Sequence, residues 1–140
     1  MPTRADIVAA ARECVGTPFH HQGRLLGVGL DCVGVVLHAA RVAGVFPDEL
    51  PNYGRSPNPK MMRATLEKYM DELFRSERLD GDVLWLRVRH DPQHLAILCD
   101  EGRSIIHSHA YKPIGRCVEQ PLDAMWAERI EAVFRFRGIE

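Results

Sequence analysis

Residues 29–40, Gly-Leu-Asp-Cys-Val-Gly-Val-Val-Leu-His-Ala-Ala, form the most informative stretch of the chain. Asp31 is a good N-cap and Gly44 a good terminator, so the pattern predicts a helix from Asp31 to about Ala43. This helix is apolar on nearly every side, which predicts that it is buried against several neighbouring elements. Cys32 would then lie in the first turn of a buried helix, directly after the cap.

Two further helices are expected on either side of this segment. A first helix is predicted to begin after Thr3 and to end at Gly16. A third is predicted to open at Asn58-Pro59, and its apolar residues keep helical spacing as far as Leu73. The intervening segments are predicted to be loops, at residues 19–30 and 46–58.

After residues 79–82 the pattern changes from helices to short strands. A tight turn is predicted at residues 100–103, between the second and third strands. Helices followed by a meander of antiparallel strands indicate an α+β fold. The five predicted strands are Val83–Val88, His94–Leu98, Ser104–His109, Arg116–Glu119 and Ile130–Phe136.

Length and charge exclude several classes of protein. The chain has 140 residues, 18 Lys+Arg against 19 Asp+Glu, and a net charge of −1, so residues 1–140 are expected to form one domain without nucleic-acid binding. The N-terminus lacks the apolar segment of a signal peptide, and no apolar run approaches the ~20 residues that cross a bilayer. The expectation is a protein synthesised in the cytoplasm, without a membrane partner or an export signal.

Four cysteines lie at positions 14, 32, 99 and 117, without a C-x-x-C pair. A chain of this length with a normal apolar content does not need disulfides, so the thiols are expected to be reduced. Each is then either a small core residue or a reactive group.

Cys32 is the strongest candidate for a reactive group. Backbone N–H groups and the positive end of the helix dipole favour a thiolate at a helix N-terminus, and the same N–H groups can stabilise an oxyanion. Glycines on both sides leave space for a ligand to approach the sulfur. The alternative is a core cysteine among small residues.

A nucleophilic cysteine needs a base, and the predicted hairpin offers two histidines. A turn centred near residue 101 pairs position 94 with 107 or 108, which brings His94 and His107 together. His109 shares a face with His107 and could take its place. Cys32, His94 and His107 can then act as nucleophile, base and orienting group. The alternative is that each histidine lies on the surface or at a strand end.

Zinc is the competing interpretation of the same side chains. The H-x-H pattern of His107 and His109, with His94 and Cys99 or Cys117, has suitable donor types. Their spacing matches no closed zinc site, and the main expectation is that no metal or other cofactor is used.

Taken together, the motifs resemble the NlpC-type cysteine peptidases, a papain-like family of bacterial cell-wall hydrolases. The resemblance rests on five segments in the order typical of that family. It implies a papain-like fold and cleavage of an amide in a peptidoglycan stem peptide, typically after D-glutamate, with Cys32 as nucleophile, His94 as base and His107 as orienting residue. The segments are Pro18–Gly23, Asp31–Gly34, Gly81–Val83, His94–Leu98 and Ile106–Ser108.

Three short patterns resemble the branch found in phage and prophage tail modules: His-Gln-Gly-Arg at 21–24, Asp-Cys-Val-Gly at 31–34 and Tyr-Gly-Arg at 53–55. This resemblance implies phage tail proteins as partners. It also implies delivery to the cell wall with a virion.

Departures from the family pattern concern the substrate pocket. Phe19 replaces a tyrosine whose hydrogen bond His20 or His21 could supply, and Val33 replaces a serine that shapes the pocket with Asp31. The predicted substrate-binding residues are therefore Asp31, Phe19, His21 and Val33. The same departures motivate an alternative, a non-catalytic tail-assembly module with a vestigial site.

Overall fold

The computed structural model describes residues 1–47, 53–54, 57–111 and 113–140. Arg55 of the Tyr-Gly-Arg pattern lies outside the described residues. The helices are α1 (Arg4–Glu13), α2 (Cys32–Val42), α3 (Pro59–Tyr69) and α4 (Ala124–Glu128), with a 3-10 turn at Arg75–Glu77. The strands are β1 (Arg24–Leu25), β2 (Gly29–Leu30), β3 (Met70–Leu73), β4 (Val83–Val88), β5 (Asp91–Cys99), β6 (Ser104–Ser108), β7 (Cys117–Pro121) and β8 (Ile130–Phe136).

Six strands form one antiparallel sheet in the order β3-β8-β4-β5-β6-β7. The larger apolar core joins one face of this sheet to α1, α2 and α3, through residues such as Ile7, Val35 and Ile97. A smaller core on the opposite face contains Leu98 and is covered by Trp126 of α4. The expected α+β fold is confirmed. Within the described residues, no helix is long and apolar enough to span a membrane.

The third helix ends earlier than its apolar spacing predicts. Residues 70–73 are not helical but form β3, in which Met70 pairs with Phe136 and Leu73 with Val133 of β8. Arg137, at the end of β8, donates to the carbonyls of Glu67, Lys68 and Met70 and so satisfies groups that a continued helix would bond. The sheet therefore has six strands instead of five.

Two other elements were not expected from the sequence. The predicted loop 19–30 contains a short hairpin in which Arg24 pairs with Leu30 and Leu25 with Gly29. The short helix α4 begins after Asp123, whose carboxylate accepts the N–H of Trp126 at 2.9 Å. This helix places Trp126 against the histidine-bearing face of the sheet.

The start of α2 packs closely against the loop before it. A Cβ added at Gly34 would lie 2.5 Å from the carbonyl oxygen of Gly23, and one added at Gly23 would lie 2.5 Å from the carbonyl oxygen of Gly29. Both positions therefore exclude a side chain unless the backbone moves. This packing fixes the position of the first turn of α2.

Candidate active site

Cys32 is the first residue of α2, as predicted. The Asp31 carboxylate caps this helix by accepting the N–H of Gly34 at 2.9 Å. Cys14, Cys99 and Cys117 are fully buried, whereas Cys32 is partly exposed. Cys32 is therefore the cysteine best placed to meet a ligand.

His94 and His107 lie together, as predicted, but on a slightly different register. Leu98 pairs with Ile105, one residue beyond the partner that a turn centred on residue 101 would give. Because strand side chains alternate between faces, His94 shares a face with Leu98 and His107 shares a face with Ile105. His94 Nε2 lies 2.7 Å from His107 Nδ1, within hydrogen-bonding distance. His107 Nε2 lies 2.9 Å from Gln120 Oε1.

His109, the third histidine on this face of the sheet, does not take the place of His107 beside His94. The ring of His109 is 6.1 Å from that of His94, and its Nδ1 accepts the backbone N–H of Tyr111 at 3.0 Å. Trp126 contacts all three imidazoles, with centroid distances of 6.0 Å to His94, 5.2 Å to His107 and 5.9 Å to His109. Trp126 therefore forms one wall of the site.

The Cys32 sulfur lies beside the residue that follows His94. Although Cys32 is partly exposed, its sulfur is surrounded by protein groups, and the backbone N–H groups of Leu95 and Val33 lie near enough to favour its ionised form. Between these described side chains, the thiol and the His94 ring form no direct hydrogen bond. Such bonds often tighten only when substrate binds, so the arrangement is compatible with a nucleophile and its base.

The expected ionised thiolate is not what the electrostatics favour. Burial, followed by the Asp31 carboxylate, raises the pKa of Cys32 to about 12, against the opposing effect of the Leu95 and Val33 N–H groups and of Arg24. Desolvation and a neighbouring carboxylate therefore outweigh the helix N-terminus. The electrostatics of the resting site therefore favour the neutral thiol over the thiolate that the helix N-terminus predicts.

Burial also favours the neutral form of His94 and of His107. Burial, followed by the neighbouring His107 and His109, lowers the pKa of His94 well below its ordinary value. Burial also lowers the pKa of His107 to about 4, although its hydrogen bond to Gln120 opposes this shift. Burial thus favours a neutral thiol and a neutral imidazole at rest over an ion pair.

The carboxylate of Asp31 accepts hydrogen bonds from four groups of the protein. One carboxylate oxygen accepts from Gly34 N–H and from Arg24 Nη1, both at 2.9 Å. The other accepts from the backbone N–H of Gln22 at 3.0 Å and from the hydroxyl of Tyr53. A carboxylate offers about four acceptor positions, so these four partners leave none for a substrate amine. The substrate contact of Asp31 stays a prediction, and it would need one of these four partners to move.

The other predicted substrate-binding residues have separate surroundings. His21 Nε2 lies 3.1 Å from the carbonyl oxygen of Tyr53 and packs edge-on against the Tyr53 ring. Val33 is buried and lines, with Leu95, a small apolar cavity of about 50 Å³ between α2 and α3. Phe19 is half-buried, and its backbone N–H donates to Gly115. Val33 follows Cys32 in α2, and its backbone N–H lies near the thiol.

The zinc interpretation finds no support in the geometry. Several of the imidazole nitrogens already have partners within the protein. His94 Nε2 contacts His107 Nδ1, and His107 Nε2 contacts the amide of Gln120. His109 Nδ1 accepts the backbone N–H of Tyr111. Within residues 1–47, 53–54, 57–111 and 113–140, no three His, Cys, Asp or Glu side chains are placed to hold a metal ion.

Comparison with solved structures shows the same fold in several proteins. The NlpC/P60 domain of the peptidoglycan hydrolase SagA is 21% identical, with a TM-score of 0.67 and coverage of 96% of this chain and 99% of that domain. RipD from Mycobacterium tuberculosis, described as a non-catalytic NlpC/P60 domain protein adapted to peptidoglycan binding, is 17% identical, with a TM-score of 0.60 and coverage of 94% and 95%.

A longer NlpC/P60 protein from Bacillus cereus is 18% identical, with a TM-score of 0.70 over 96% of this chain. The chain spans about two fifths of that protein (40%) and of an NLP/P60 family protein from Staphylococcus aureus that is described as similar to a lipoprotein (41%). No curated protein matches the chain.

A sequence model of the NlpC/P60 family matches residues 16–135, which include Cys32, His94 and His107. Members of this family are typically peptidoglycan hydrolases and generally cysteine peptidases, although RipD is non-catalytic. The match covers most of the chain and agrees with the fold. The chain therefore belongs to the NlpC/P60 family.

Proposed function

We propose that this chain is a cysteine peptidase that hydrolyses an amide bond in peptidoglycan stem peptides, between D-glutamate and the following diamino acid. Cys32 is the nucleophile, His94 the base and His107 the residue that orients His94. The 2.7 Å contact between His94 Nε2 and His107 Nδ1 carries this proposal. Cys32 begins α2 and lies next to the backbone of Leu95, the residue that follows His94.

The reaction starts from the neutral pair. His94 accepts the thiol proton while the Cys32 sulfur attacks the amide carbonyl, which gives a tetrahedral oxyanion. The backbone N–H of Cys32, unpaired in the first turn of α2, can donate to that oxyanion. The protonated His94 then gives its proton to the leaving amine, and a thioester forms on Cys32. Water, deprotonated by His94, hydrolyses the thioester and restores the thiol.

The proposal includes an association with a phage or prophage tail. It is supported by the sequence patterns at residues 21–24 and 31–34, which resemble that branch of the family. Tail proteins are then the partners, and a virion carries the enzyme to the cell wall.

A second candidate function is peptidoglycan binding without cleavage. The raised pKa of Cys32 favours it, because a neutral thiol is a weak nucleophile. The saturated Asp31 carboxylate also departs from a site that receives a substrate amine. RipD shows that this fold can serve binding in another protein.

Product analysis separates the two functions. Purified muropeptides are incubated with the protein and with Cys32→Ala, and the fragments are identified by mass spectrometry. We expect the protein to release a fragment with a new amine on the diamino acid, and Cys32→Ala to release none. Retention of the protein on insoluble peptidoglycan, with no new fragment, would favour the binding function and overturn the peptidase.

The pH dependence of alkylation tests the neutral thiol. The thiolate is the reactive form, so raising the pKa of Cys32 to about 12 lowers its thiolate fraction at every pH below that value. We expect Cys32 to react with iodoacetamide at pH 7 at least ~100-fold more slowly than a free cysteine, whose pKa is about 8.5, and its rate to keep rising through pH 9.

Peptide mass spectrometry measures this rate at Cys32 itself, and the urea-unfolded chain provides the reference thiol. A rate that is fast and constant between pH 5 and pH 7 would instead reveal a preformed thiolate and imidazolium pair. That result would contradict the neutral resting state.

A further inference from the structure

We infer that Gln120 is a positioning residue that fixes which ring nitrogen of His94 is free to accept the thiol proton. This inference rests on the proposed function, because it assigns a role within the same site. It follows from a continuous chain of contacts that joins Gln120, His107 and His94.

The chain of contacts begins at an atom with a single hydrogen-bonding role. Gln120 Oε1 can only accept, so His107 Nε2, 2.9 Å away, must carry a proton and donate it. In a neutral imidazole the other nitrogen is then an acceptor, which makes His107 Nδ1 a lone-pair site. His94 Nε2, 2.7 Å from that site, must therefore carry the proton of its own ring. His94 Nδ1 is left unprotonated and can serve as the base.

Reversing the Gln120 amide reverses every step. If its NH₂ group faced His107, His107 Nε2 would accept, His107 Nδ1 would donate, and His94 Nε2 would become the acceptor. His94 Nδ1 would then carry the proton and could not take another from Cys32 while neutral. The orientation of the Gln120 amide thus decides, through the His107 and His94 rings, whether His94 Nδ1 can accept the thiol proton.

Strand pairing explains how Gln120 reaches His107. Within β6 and β7, His107 pairs with Val118, and Ile105 pairs with Gln120. Gln120 is therefore the diagonal neighbour of His107 on the same face, within reach of a long side chain. It is partly buried, and Trp126 covers the His107 ring edge-on at 5.2 Å and 87°. This cover limits competition by water for the His107 nitrogens.

Three variants test the assignment. Gln120→Glu retains an acceptor and is expected to keep kcat on a muropeptide within about threefold, whereas Gln120→Leu has no acceptor and is expected to lower kcat about 100-fold with little change in KM. Glu119→Gln changes an exposed side chain on the opposite face of β7 from Gln120, and it should match the unmodified protein.

Nitrogen-15 NMR of the histidine rings gives a readout that does not depend on turnover. We expect the Nε2–H form for both His94 and His107 in the unmodified protein and in Gln120→Glu, and a mixture of forms at His107 in Gln120→Leu. A protein that shows these forms but cleaves nothing would leave the tautomer assignment standing and remove the peptidase. An Nδ1–H form at His94, or unchanged tautomers and kcat in Gln120→Leu, would overturn the role of Gln120.

Discussion

The Cys32→Ala and His94→Ala variants are each expected to lower kcat/KM for muropeptide hydrolysis by about 10⁴-fold or more. Cys32→Ala removes the atom that forms the thioester. His94→Ala leaves the sulfur without a base, and this loss is severe because the pKa of Cys32 is about 12 and almost no thiolate exists at pH 7. A cysteine with a low pKa would tolerate the loss of its base far better.

The double variant distinguishes a cooperating pair from two independent contributions. Residues that act in one step are not additive, so Cys32→Ala/His94→Ala is expected to be no slower than the slower single variant. Cys99→Ala is the matched control, since it removes a fully buried thiol elsewhere on β5, and it should keep normal kcat/KM. A residual activity in Cys32→Ala that His94→Ala lowers further would place the nucleophile on another group.

The residues of this pair were predictable because local rules decide their positions. Asp31 caps the helix, and Gly34 has no side chain to clash with the carbonyl of Gly23. These local features place Cys32 at the start of a helix. His94 and His107 flank a tight turn, and alternation along two strands brings them to one face. The predicted register was uncertain by one residue, and a slip of one residue moves a side chain to the other face of the sheet. The observed pairing of Leu98 with Ile105 puts His94 and His107 on the same face, so the two rings meet.

The end of α3 was not predictable, because long-range partners decide it. Met70 and Leu73 fit a helical pattern as well as a strand pattern. Their backbone groups pair with β8. The Arg137 guanidinium donates to the carbonyl of Met70, although the two residues are 67 positions apart in the sequence. Nothing in the local sequence of residues 59–73 records this partner.

The missed parts of the site have the same cause. Gln120 belongs to no motif, and only the pairing of β6 with β7 reveals that it lies diagonally across from His107. The protonation state of Cys32 depends on the desolvation of its sulfur and on the charge of Asp31, both of which require the packed structure. A helix N-terminus, visible in the sequence, was too weak a feature to decide the pKa.

Asp31→Ala is expected to lower the free energy of unfolding by about 3–5 kcal/mol, the range observed when one partner of a buried ion pair is removed. The side chain of Asp31 is 5% exposed and that of Arg24 22% exposed, so solvent screens this pair only weakly. The variant also removes the acceptor of the Gly34 N–H at the start of α2 and of the Tyr53 hydroxyl. Urea unfolding monitored by circular dichroism measures the loss.

Asn58→Ala is the matched control for the cap alone. Asn58 caps α3 by accepting the N–H groups of Lys60 and Met61, and this exposed cap is expected to contribute only about 1 kcal/mol. The excess loss in Asp31→Ala therefore measures the buried charge and its partners. Adding Arg24→Leu to Asp31→Ala should cost less than the sum of the two single variants, because the charge that Asp31 offsets is removed with it. Equal losses in Asp31→Ala and Asn58→Ala would mean that Asp31 serves only as a helix cap, and its carboxylate would again be a candidate for contact with the substrate.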